Sequence, residues 1–237
     1  MDELIGLLAW GPDGWGDEIV EGLEMTLLLA FTTAPVALVC GFFLALGRRS
    51  DNPLAKIPST VFTTVFKGLP ELITLFMVFY GTPLLIQWVA QLFDPSARIE
   101  MSPFLAGVIA LGAVSASFAS EVFMSALAGV SKGQVEAANA LGMRRIAVMW
   151  KIVIPQVMRL ALPGLGNLWL VLLKDTALVS VIALADLLRM TQIAVGATRE
   201  PFFFFAVAMV IYFTVSMISS WVLWLLERRY GRGYATS

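Results

Sequence analysis

The sequence has 237 residues, of which 59% are apolar and 14% charged, with a formal net charge of −1. A soluble domain carries nearer a quarter charged residues, so the balance points to an integral membrane domain and gives no sign of a polyanionic partner. There is no His, which excludes His metal centres, His general bases and His proton relays, and the lone Cys40 excludes a disulfide framework and is expected to be a small core residue.

The start, MDELIGLLAWGPDGWGDEIVEGLEMT, has no basic stretch, and its short apolar run is broken by Gly11, Pro12 and Gly14. No cleaved signal peptide is expected from it. Five apolar segments follow, at about 19–47, 57–93, 103–130, 155–188 and 200–226. A hydrocarbon core about 30 Å thick needs about 20 apolar residues per helix, so each segment is long enough to span. The second holds Pro70, Gly81 and Pro83, and the fourth holds Pro163, Gly164 and Gly166. Both are expected to be interrupted, with the freed backbone groups satisfied by protein or a water-filled cavity.

Lys and Arg placement orients the spans. The start carries only acids. The first connection has Arg48, Arg49 and Lys56; the next has Arg98 beside Asp94 and Glu100. The third has Lys132, Arg144, Arg145, Lys151 and Arg159; the fourth balances Arg189 and Arg199 against Asp186 and Glu200; the tail has Arg228, Arg229 and Arg232. The expected fold is therefore an all-α membrane protein with five transmembrane helices, the N-terminus outside (periplasmic) and the C-terminus cytoplasmic, forming a single domain over 1–237.

The third connection, SKGQVEAANALGMRRIAVMWKIVIP at 131–155, is polar yet patterned like a helix, expected over about 131–150. Ser131 and Gln134 fit a capping box. Ala137 with Leu141, and Ala138 with Gly142, lie four apart and form a face of small residues that a partner backbone could approach. Gly142 permits a helix end or bend. An ordinary interfacial helix fits this pattern equally well.

Within the third span Ala113, Ser115, Ala116, Ser117, Ala119 and Ser120 suit close helix packing. Phe202–Phe205, Trp221 and Trp224 suit lipid-facing or interfacial positions. Charges inside apolar segments are costly and normally face a cavity or an opposite charge. Lys67, Glu71, Glu121, Lys174 and Asp175 are such charges. Lys67 and Glu71, four apart, share a face if the chain is helical there, and either this pair or Glu121 could be structural. Glu71 and Asp175 are the better candidates for a translocation path, with Lys67, Glu121, Thr176 and Ser180 beside it. Carboxylates on a path suit an amino group or a guanidinium.

Glu136-Ala137-Ala138, Gly142, Ile152 and Ile154-Pro155 resemble the EAA signature of type I ABC importer permeases, with Ile154 where Leu is usual. The resemblance extends through GPDGWG, FTTVFKGLPE, GQVEAANALGM, LPGLGNLWLVLLKDTALVS and LERRYGRG. It is strongest to the Q-type permease subunits of histidine/lysine/arginine/ornithine and opine importers, in the polar amino-acid branch. Lys67 stands where Arg is common, and Met124-Ser125 where Arg-Gly is frequent. The resemblance implies a cytoplasmic coupling helix between the third and fourth spans, through which Glu136, Ala137, Ala138, Leu141 and Gly142 contact an ATPase subunit. It also implies a second permease subunit, a paralogue in preference to a second copy, a periplasmic amino-acid-binding protein, and a place in the bacterial inner membrane. The chain has no G-x-x-x-x-G-K-[ST] loop. ATP and Mg are therefore expected on the partner ATPase, with no cofactor, metal or catalytic residue here. An ion-coupled carrier or channel is the alternative, and it predicts activity without partners.

Overall fold

The structure is a computed structural model that describes residues 6–12, 14–92 and 100–230. Five of its helices are long and apolar enough to cross a membrane. The described elements are α1 (Gly16–Arg49), α2 (Pro53–Gly68), α3 (Glu71–Ala90), α4 (Pro103–Gly129), α5 (Lys132–Ala140), α6 (Arg145–Ile182), α7 (Leu187–Thr198) and α8 (Pro201–Tyr230). Asp94, Arg98 and Arg232, among the charges that orient the spans, lie outside the described residues.

Local chemistry starts and ends these helices. Asn52 and Ser102 are N-caps, accepting from the N–H groups of Leu54 (3.0 Å) and Leu105 (3.2 Å), and each is followed by a proline whose missing N–H costs nothing there. Asp17 and Glu18 sit in the first turn of α1 and Arg48 and Arg49 in its last, matching the helix dipole.

The second apolar segment is interrupted, as its prolines predict, but at one point only. Leu69 and Pro70 are extended and separate α2 from α3. Gly81 and Pro83 do not break α3; the helix widens into a π turn over Met77–Gly81 just before Pro83. The same widening, Met149–Val153, precedes Pro155 in α6. A proline ring clashes with the carbonyl four residues back and cannot bond it, and a wider turn relieves both problems. In the fourth segment the expected interruption at Pro163, Gly164 and Gly166 is absent, because α-helix runs unbroken over Ile154–Asp175. The two glycines serve packing instead: Gly164 lies against Val122 and Gly166 against Leu223.

α4 is the central helix and carries the largest share of buried residues. α1 runs parallel to it, with Leu29 beside Gly107, Thr33 and Val36 beside Gly112, and Gly41 beside Ala116 and Ala119. α6 runs antiparallel to it, with Val122 against Gly164 and Gly107 against Val179. The small residues of the third span thus serve packing: Ala116, Ser117, Ala119 and Ser120 are all buried. A Cβ on Gly41 would fall 2.5 Å from that of Ala119, with α4 backbone on its other side. Gly41→Leu is therefore expected to cost about 1–3 kcal/mol or more by overpacking. Thermal unfolding in detergent checks this, and an unchanged midpoint would contradict the α1–α4 register.

Two side-chain expectations are corrected. Cys40 is exposed, because α1 turns its small residues Ala37, Gly41 and Ala45 inward and leaves the next position facing out. The Phe run is not uniformly outward: Phe202 is 89% exposed but Phe204 is fully buried, because adjacent helical positions differ by about 100°. Trp221 and Trp224 are exposed, and the Arg228 guanidinium lies 5.2 Å from the Trp224 ring centroid.

Candidate functional site

Three polar constellations stand out against this apolar frame. The first is α5. It ends at Ala140, and Gly142 adopts a left-handed φ of 74°. The Gly142 N–H bonds the Asn139 carbonyl (3.0 Å) and the Met143 N–H bonds the Ala138 carbonyl (3.1 Å). That is a Schellman ending, which favours glycine at this position. The capping box does not form: Ser131 is the N-cap, but its side chain takes no capping bond among the described residues, and the Gln134 N–H bonds the Ser131 main-chain carbonyl instead.

The helix has two unlike sides. Ala138 is buried in a cluster with Val130, Val148 and Val153, so it seats the helix on its own bundle instead of offering surface. Glu136, Ala137, Leu141 and Gly142 face outward. Leu141 is 82% exposed, and Ile146, just beyond the turn, is 74% exposed. Ile146 was not among the sequence candidates. It lies past Gly142, where the helical phase that linked Ala137 to Leu141 no longer holds. A cavity of about 330 Å³ opens beside α5, lined by Arg49, Lys132, Val135 and Glu136 among others.

The second constellation is an ion triad. Arg48 Nη1 lies 3.0 Å from Glu121 Oε1, and the Lys67 ammonium also bonds that oxygen. Arg48 further donates to Ser120 Oγ at 3.2 Å. Lys67 does not share a face with Glu71, because the extended Leu69-Pro70 breaks the helix between them. The triad ties the ends of α1 and α2 to α4. Arg48, taken from sequence only as an orientation marker, is its third member; the residues lie 73 positions apart or fewer, and only packing joins them.

The third constellation is an acidic pair. Asp175 and Glu71 are brought together with their carboxyl groups as immediate neighbours. Lys174, adjacent in sequence, points to the exposed side. Thr176 and Ser180 do not join this pair. Both are buried, and their hydroxyls donate to their own helix, to Leu173 O (2.7 Å) and Ala177 O (2.8 Å). The α-helix ends at Asp175 and tightens into a 3₁₀ helix over Thr176–Ile182.

Beyond that turn, Asp186 caps α7 by accepting from the Arg189 N–H at 3.1 Å. Burial pushes its carboxyl up to about 6, with the N–H groups of Arg189 and Leu188 pulling it back. No group of His, Cys, Asp and Glu among the described residues could hold a metal ion.

Known proteins match this arrangement. The family described as "Binding-protein-dependent transport system inner membrane component" matches residues 37–232. The octopine transport system permease protein OccQ of Rhizobium radiobacter is 37% identical over 227 residues, covering 96% of each chain. The histidine/lysine/arginine/ornithine transport system permease protein HisQ of Escherichia coli is 39% identical over 220 residues, covering 93% of this chain and 96% of its own. Among solved structures, an amino acid ABC transporter with histidines matches with a TM-score of 0.79 and 33% identity, covering 91% of this chain and 95% of that one. Five apolar helices, a small-residue core and a match over most of the length agree: the chain belongs to the binding-protein-dependent inner-membrane permease family, the membrane-spanning components of ABC importers.

Proposed function

We propose that this permease carries polar, cationic amino acids of the histidine, lysine, arginine, ornithine or opine kind. The substrates that its relatives are named for support this class, and the observation that carries it is the paired Glu71 and Asp175. Two carboxyls side by side in an apolar bundle repel each other unless a proton or a cation joins them. A substrate ammonium or guanidinium would serve as that cation.

The chain sits in the bacterial inner membrane with its N-terminus periplasmic and its C-terminus cytoplasmic. α5 lies in the cytoplasm as the coupling helix. Its outward residues Glu136, Ala137, Leu141 and Gly142, joined by Ile146, dock on an ATPase subunit that holds ATP and Mg. Two large aliphatic side chains exposed beside a polar helix are the pattern of a protein contact, and burying Leu141 alone would contribute about 1.5–3 kcal/mol. A paralogous second permease completes the translocation unit, and a periplasmic binding protein delivers the amino acid. ATP closure of the ATPase dimer moves the coupling helices and opens the path of Glu71 and Asp175 outward; hydrolysis returns it inward. The Arg48–Lys67–Glu121 triad serves as a strut in this frame.

Leu141→Asp with Ile146→Asp is expected to strip the ATPase subunit from the complex in a gentle-detergent pull-down, while membrane insertion stays normal. A pull-down with the ATPase retained at the unmutated level would remove α5 from the interface. A chain that emerges alone and moves solute without ATP would favour the carrier reading.

A further inference from the structure

Two adjoining cavities form a groove between α1 and α6. The one beside α5, of about 330 Å³, is lined by three exposed charged residues, Arg49, Lys132 and Glu136, and by the less exposed Leu46, Leu127 and Met149 among others. Leu46 and Met149 also line a second cavity, of about 420 Å³, so the two meet there. No charged residue lines the second: Leu38, Phe42 and Phe43 of α1 and Trp150, Ile154 and Met158 of α6 make up most of its wall. Along α1 the groove runs from Arg49 to Leu38, about 16 Å at the helical rise. That is close to the depth of one leaflet, half of a hydrocarbon core about 30 Å thick.

The charges at the polar end lack partners. Both ion pairs among the described residues end on Glu121, so Arg49, Lys132 and Glu136 stand without an ion-pair partner there. Two cations against one acid leave a net positive charge at the end of an apolar groove one leaflet deep. Basic pockets between membrane helices at the bilayer surface take anionic headgroups. Trp150, 66% exposed on the groove wall, belongs to a residue type that gathers where hydrocarbon meets headgroups. Other occupants fit less well. An acidic side chain of a docked protein would answer the cations and leave the apolar length bare. An apolar helix, about 10 Å across, would sit on the groove and not in it, and would bring no anion to its basic end.

We propose that this groove binds one anionic phospholipid of the phosphatidylglycerol kind, from the leaflet on the α5 side. Its phosphate lies between Arg49 and Lys132, a headgroup hydroxyl donates to the Glu136 carboxylate, and one acyl chain lies along Leu46, Phe43 and Met158. The site rests on the chain spanning a membrane, and on neither the substrate class nor the ATPase contact. Arg49 and Lys132 served in the sequence only as markers of orientation. Packing of α1 against α5 and α6 brings them to one end of an apolar groove, which neither shows alone.

The test puts the photo-reactive p-benzoylphenylalanine in place of Phe43, an exposed ring on the groove wall. The whole complex is illuminated in vesicles of equal parts phosphatidylglycerol and phosphatidylethanolamine, and the mass of the adduct identifies the occupant. Phosphatidylglycerol is expected to exceed phosphatidylethanolamine by at least about fivefold, the effect of one basic residue near a membrane surface. The same probe in place of Phe213, exposed on α8 outside both cavities, should report the equal shares of the bilayer. Arg49→Gln with Lys132→Gln should bring the Phe43 ratio down to that of Phe213. Both residues are exposed, so this variant should assemble normally; the contrast between the two probe positions tests the site without it. Equal shares at Phe43, the same preference at Phe213, a preference that survives the double variant, or a cross-link to a second permease or an ATPase subunit in place of lipid would each overturn the site.

Discussion

Gly142→Trp is expected to cut uptake by at least about tenfold, equivalent to roughly 1.4 kcal/mol, while membrane insertion stays normal. Two effects combine. The residue stands at φ 74°, where a Cβ costs about 1–2 kcal/mol, and the indole would project from the exposed side that also carries Leu141. Strain alone is separable from bulk. Gly142→Asn tolerates the left-handed conformation and should retain most activity, and Gly142→Ala adds strain with little bulk and should fall between. ATP hydrolysis in Gly142→Trp should continue without uptake or be lost with the ATPase itself. Uptake at the unmutated rate in Gly142→Trp would remove the turn from the coupling path.

Asp175→Asn is expected to weaken amino-acid transport by roughly 10- to 100-fold, the 1.5–3 kcal/mol of a hydrogen bond to a charged group. Glu71→Gln should do the same. If one substrate cation bridges both carboxyls, the double variant should lose less than the product of the two single losses, since removing either acid already breaks the bridge. The measurement is concentration-dependent uptake of L-arginine and of an uncharged amino acid in liposomes bearing the whole complex. The loss should be selective for arginine. Equal losses for both solutes, with normal assembly, would return the pair to a structural role.

Hydropathy located the membrane spans because burial in lipid demands about 20 apolar residues whatever their neighbours. All five expected segments contain a candidate span, although α2 and α7 divide the second segment and the connection before the last. The Gly142 turn was legible for a similar reason: glycine relieves a steric cost set within one or two residues. So was the break at Leu69-Pro70, where a proline forces the preceding residue out of helix.

What the sequence left open are questions of phase and partner. Whether Ala138 or Ala137 faces inward depends on how α5 lies on Val148 and Val153, and a rotation of one position would exchange them. Cys40 points out and Phe204 in for the same reason. Thr176 and Ser180 stood as polar candidates beside the path of Glu71 and Asp175, but the shift from α to 3₁₀ after Asp175 changes the rotation per residue and buries them. The charges were visible one by one, and their partners were not. Lys67 had Glu71 four residues away and took Glu121 with Arg48 instead, while Glu71 met Asp175. Local rules determine where a helix starts, ends and is long enough to span. Which charge answers which is decided only when helices far apart in the chain pack against one another, because a buried charge takes the partner that packing brings within reach.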